Sequence, residues 1–135
     1  MGILSWLFKS KKKQTTIEEN ARRMKKKYPL NEEGYFGKRG KGRARGKRGK
    51  KEKVRVIESN NQYRTARDFY LKIGRGGKEG PLPNGHGVER RLSDDSSIIY
   101  REKTGTENSP AVHIHINKES KIQNQKIHFE RRKKK

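Results

Sequence analysis

The chain has 135 residues, 39% of them charged and 27% hydrophobic; that is enough apolar material for one modest domain and too little for the domain to fill the whole length. Its 37 Lys and Arg against 15 Asp and Glu leave a net charge of +22, far beyond what solubility requires, and imply a polyanionic partner such as RNA, DNA or an acidic protein. There is no cysteine, which excludes a disulfide framework, a cysteine nucleophile and a thiolate metal site.

The charge is unevenly placed. Residues 1–53 hold 19 basic and 5 acidic residues, 54–129 hold 13 and 9, and 130–135 hold 5 and 1. The middle stretch also carries most of the Val, Ile, Phe and Tyr. The expected organisation is a basic, largely disordered region over 1–53, an α+β module over 54–129 and a basic tail over 130–135.

The apolar opening Met1–Phe8 stops at Lys9, well short of the roughly 20 residues a membrane span needs. It lacks the basic start and small-residue cleavage site of a signal peptide. A cytoplasmic chain is therefore expected, with at most a weak membrane contact through residues 1–13, where the apolar run meets Lys9, Lys11, Lys12 and Lys13. Thr16-Ile17-Glu18-Glu19 is a capping-box pattern, Ile17, Ala21, Met24 and Tyr28 share one helical face, and Pro29 stops the run. A short amphipathic helix is predicted near 16–28.

From Gly37 to Lys53 the chain has ten basic residues, one acidic residue and five glycines. Such a segment buries no apolar area and repels itself, so disorder is expected until a polyanion arrives. Lys38, Arg39, Arg43, Arg45, Lys47 and Arg48 are the candidate RNA-binding residues, because flexible cations release counterions from a phosphate backbone. Val54–Ile57 suits a short strand. Tyr63, Ala66, Phe69, Tyr70 and Ile73 recur at helical spacing before Gly74, predicting a helix over about 62–73. Between Gly74 and Gly87 six glycines and two prolines predict a loop without regular structure; His86 lies in it. Beyond, Val88–Leu92, Ser97–Arg101, Ala111–Asn117 and Gln125–Phe129 read as four strands with short connections. The expected fold is α+β: one main helix packed on a small antiparallel meander of about four strands, with disordered basic extensions at both ends.

In AVHIHIN the alternation sets His113, His115 and Asn117 opposite Val112, Ile114 and Ile116; in QKIHF it sets Lys126 and His128 opposite Ile127 and Phe129. If those strands pair, three imidazoles and an ammonium share a solvent-facing surface, with Arg101 at one edge. Such groups suffice to cut RNA. One imidazole removes the 2′-hydroxyl proton, another protonates the departing 5′-oxygen, and cations stabilise the phosphorane between them. Ser109 or Thr104 would orient the phosphate. Neither cofactor nor metal is required, although His113 and His115 have the spacing of two metal ligands on one strand. The bland alternative is an ordinary wet sheet face on a nonenzymatic RNA- or DNA-binding protein.

Over residues 61–129 the chain resembles the C-terminal nuclease domains of bacterial polymorphic toxins of the LXG and contact-dependent effector type, with the barnase, EndoU, colicin and RelE-like fold. The resemblance rests on the helix ending at Gly74, the Leu82-Pro83-Asn84-Gly85 turn, the Ile98-Ile99-Tyr100-Arg101-Glu102 strand, Ser109-Pro110-Ala111-Val112 and the closing Gln125-Lys126-Ile127-His128-Phe129. It implies cofactor-free RNA cleavage, a role in bacterial competition and an acidic immunity protein as partner. It lays functional weight on Arg101, Ser109, Lys126 and His128. An acidic or amide residue commonly stands in such domains where this chain has His113 and His115, which would move acid–base work toward His86 or His128.

Overall fold

The computed structural model describes residues 16–45, 51–82, 87–102, 109–117 and 119–132. Two helices, α1 (Ile17–Arg23) and α2 (Gln62–Ile73), accompany seven strands: β1 (Lys38–Arg45), β2 (Lys51–Ser59), β3 (Lys78–Pro81), β4 (Val88–Arg91), β5 (Ser97–Arg101), β6 (Ala111–His115) and β7 (Gln125–Arg131). All seven belong to one sheet in the order β1-β2-β7-β6-β5-β4-β3. Every neighbouring pair is antiparallel except β2 and β7, which run parallel.

This overturns the expectation of one main helix on a four-strand antiparallel meander with disordered extensions. The sheet is mixed and nearly twice as wide, and both helices are short. The segments predicted as strands between 88 and 129 are β4 to β7, but they form only part of it. β1 and β2 extend it across 38–59, where the sequence predicts a disordered arm and one short strand. The physical reason is that a strand needs a partner for its backbone before it needs apolar side chains. β2 supplies that partner along β1, with Lys38 opposite Val56, Arg39 opposite Arg55 and Arg45 opposite Lys51, across an irregularity between Arg39 and Arg43. Gly40 allows the close approach: a Cβ there would stand 2.8 Å from Val54 Cγ1. β3 corrects the predicted loop in the same way, pairing Lys78–Pro81 with β4 inside the glycine-rich stretch.

Helix α1 begins at Thr16, whose hydroxyl accepts from the Glu19 amide. It ends at Arg23, and 24–27 continue as turns, so the helix is shorter than the expected 16–28 although Met24 and Tyr28 are still buried. Asn20 fastens it to the end of α2 by donating to the carbonyls of Ile73 and Arg75. Helix α2 starts at Asn61, whose side chain accepts from the Arg64 amide, and presents Ala66, Phe69, Tyr70 and Ile73 to the sheet. Phe69 is the hub, with ring centroids 5.1 Å from Tyr28, 5.0 Å from Phe36 and 5.5 Å from Phe129, separations at which aromatic pairs add to simple burial. Ile98, Tyr100, Val112, Ile114, Ile127 and Phe129 complete this core from the same sheet face. Gln125, fully buried beside them, accepts from the Phe36 amide and donates to the carbonyls of Gly34 and Gln123. That amide clamps the 34–36 turn to the start of β7.

Candidate functional site

Because side chains alternate across a strand, the face opposite the helices is fixed by the core residues just named. It carries Val54 and Val56 from β2, Lys126 and His128 from β7, Ala111, His113 and His115 from β6, and Ser97, Ile99 and Arg101 from β5. Register arranges them in rows. One row runs Val56, His128, Ala111, Arg101; the next runs Val54, Lys126, His113, Ile99; Ser97 and His115 lie opposite each other in a third. Neighbours within a row are about 4.8 Å apart, and successive rows about 6.6 Å.

Ala111 is the smallest side chain of the first row and stands between His128 and Arg101, but it is only 3% exposed, so the row is covered and not open to solvent at its centre. The strands of His128 and Arg101 are two spacings, or about 10 Å, apart, a width that long side chains and one phosphate can span. His113 follows Ala111 on the same face of β6, and Lys126 is its direct partner across the strands. The rings of His113 and His115 lie 4.3 Å apart at 32°. Ser109, just before β6, brings its hydroxyl to 3.4 Å from His128 Nδ1.

Burial differs from the sequence expectation of a wholly solvent-facing set. His113, His115, Lys126 and Arg101 are partly buried, but His128 is 5% exposed and Ser109 7%. Val56 stands beside His128 across the parallel pair, an apolar neighbour that only long-range register supplies. Among the described residues, Arg101 Nε is buried without a hydrogen-bond partner. Tyr100 is adjacent in sequence but occupies the other face, its ring centre 5.5 Å from that of Tyr70 and tilted 37° to it. Burial raises its phenol pKa, and the Glu102 carboxylate adds to the rise while Arg67 opposes it.

His86, Thr104, Lys47 and Arg48 lie outside the described residues. Arg43 and Arg45 are in β1, and Lys38 and Arg39 are exposed near its start, Lys38 pairing with Glu58 at 2.7 Å. The structure thus brings His113, His115, Lys126, His128, Ser109 and Arg101 to one face and leaves the β1 cations at its far edge. Sequence reasoning missed Ala111 as the residue that separates His128 from Arg101. The period-2 pattern that picked out His113 and His115 also covers Ala111, and register then sets it between His128 and Arg101.

Among the described residues, no three His, Cys, Asp or Glu side chains gather as a metal-binding group, and no helix is long and apolar enough to cross a membrane. In comparisons with known proteins, no family model matches this chain, and no curated protein or solved structure does either.

Proposed function

We propose that this protein is a metal-independent ribonuclease that cuts RNA by 2′-hydroxyl transesterification, in the manner of the toxin nucleases it resembles. The observation that carries the reading is the row His128, Ala111, Arg101 with His113 and Lys126 in the next row. Because Ala111 is 3% and His128 5% exposed, a phosphodiester reaches this row only when the chain covering it moves aside; it then meets the imidazoles of His128 and His113 and the cations of Arg101 and Lys126. One imidazole takes the 2′-hydroxyl proton as that oxygen attacks phosphorus. The other gives a proton to the departing 5′-oxygen, leaving a 2′,3′-cyclic phosphate. Arg101 and Lys126 stabilise the charge on the phosphorane. The Ser109 hydroxyl beside His128 Nδ1 orients that ring. An acidic immunity protein covering this face belongs to the same reading.

Purified protein is expected to shorten RNA in EDTA and leave cyclic or 3′-phosphate ends. His113→Ala and His128→Ala should each lower the rate about 10²- to 10⁴-fold, and Arg101→Ala about 10²- to 10³-fold, with RNA binding retained. Burial of His128 and Ser109 favours a second reading, a nonenzymatic RNA- or DNA-binding protein whose polar residues serve packing. Intact RNA at high protein concentration, or equal rates in all three variants, would establish that reading instead.

A further inference from the structure

The edge of the sheet farthest from β3 holds a second concentration of charge. Arg39 and Arg55 are direct cross-strand partners, and like charges placed so are destabilising. Arg55 is only 9% exposed. Its Nε donates to the Phe36 carbonyl at 2.9 Å and its Nη2 to the Gly37 carbonyl at 2.8 Å, which fixes the guanidinium without neutralising it. Tyr35 receives Lys53 Nζ at 5.0 Å and the Arg55 guanidinium carbon at 5.1 Å from its ring centre. Among the described residues none of Arg39, Lys53 and Arg55 forms an ion pair. A cleft of about 230 Å³ opens between these side chains, and among the described residues Glu33 is the one carboxylate in its wall.

A guanidinium withdrawn from water without a counter-ion is costly, and a second one held opposite adds repulsion. An anion in the cleft removes both penalties. The volume holds a phosphate with some water, and the backbone bonds to Arg55 mean that its geometry is set before the anion arrives. Arg39 and Lys53 are exposed, so the mouth is open to a long polymer. We infer that Arg39, Lys53 and Arg55, with Tyr35 beneath two of them, form a phosphate-binding site for the backbone of a nucleic-acid strand. It is distinct from the His128–Arg101 row and independent of whether that row cuts. Arg55 belongs to the helix side of the sheet, so a strand engaging both sites passes around β1.

The test uses the full chain and a 2′-O-methyl pentanucleotide, which offers phosphodiesters but no 2′-hydroxyl to attack, so binding is read without cleavage. The double variant Arg39→Gln, Lys53→Gln alters two exposed side chains. It is compared with Arg23→Gln, Lys26→Gln, an equal loss of charge at the end of α1. The cleft variant should weaken binding about tenfold or more and reduce the salt slope by roughly 1.4, about 0.7 for each phosphate no longer neutralised, while the α1 variant changes affinity less than twofold. Equal weakening by both pairs would overturn the site, because charge alone would explain it. A second arm titrates inorganic phosphate. If phosphate binding is lost in the cleft variant while pentanucleotide binding is unchanged, the cleft takes small anions and the assignment to a strand fails. A protein that binds through the cleft but leaves natural RNA intact sinks only the ribonuclease reading; one that cuts RNA with the cleft variant binding normally sinks only this inference.

Discussion

Asp68 joins three side chains from both helical segments. Its carboxylate accepts from the Tyr28 hydroxyl at 2.7 Å, pairs with Lys27 at 2.9 Å and with Lys72 at 2.6 Å. Burial pushes its pKa up, but the hydrogen bonds from Lys72, Tyr28 and Lys27 outweigh this and bring it from 3.8 down to about 2. The sign of the linkage follows: the folded state binds the proton less readily than the unfolded chain. The stabilisation is therefore present above pH 4 and is lost as pH falls through about 2. Asp68→Asn should melt below the wild type at pH 6, and the gap should narrow at pH 2.5. Thermal melts followed by circular dichroism would measure it, and a gap unchanged by pH would show that these bonds do not hold the two segments together. Lys27 and Tyr28 lie far from Asp68 along the chain, so no local pattern announces their meeting. The same holds for Arg55. Its site depends on Arg39 across the hairpin and on the Phe36 and Gly37 carbonyls, whereas the period-2 spacing of His113, His115, Lys126 and His128 is written in consecutive residues.

At the level of elements, the legible parts are those that bury apolar side chains at a regular period. Helix α2 repeats Ala66, Phe69, Tyr70 and Ile73, and β5 to β7 alternate or run apolar, so each declares its type. β1 does not. Its residues Lys-Arg-Gly-Lys-Gly-Arg-Ala-Arg carry no hydrophobic signal, and pairing along β2 is what makes the strand. β3, with Lys-Glu-Gly-Pro, is similar. Gly40 is the point at which this hairpin is most exposed to substitution. A Val side chain there would press on Val54 Cγ1 at 2.8 Å and Val56 Cγ2 at 3.1 Å. Gly40→Val should cost about 1–3 kcal/mol and speed amide exchange in β1 and β2 more than in β4 and β5. Urea denaturation and hydrogen exchange would measure the two effects, and uniform exchange throughout the sheet would contradict a local role.

Across the whole molecule, the sheet is joined through β7, which lies between β2 and β6. Without it the chain holds two separate parts: the β1–β2 hairpin and the β3–β6 meander. Removing residues 125–135 should therefore abolish the cooperative unfolding transition, although all residues of α2 and its apolar face remain. A sharp thermal transition in that truncated chain would show that the meander and α2 are self-sufficient. Position along the sequence conceals this dependence, since β7 looks like a terminal strand and is an internal one in space.

The parallel pairing of β2 with β7 matches Lys53 to Gln125 and Ser59 to Arg131, partners 72 positions apart in each case. Contacts so distant in sequence form slowly, and during synthesis β7 emerges after the other six strands of this sheet. Lys126 and His128 arrive with it. A nascent chain lacking this strand has neither residue and no closed sheet to hold the others in register, so whatever chemistry the polar face performs waits until β7 has been made and has paired with β2 and β6.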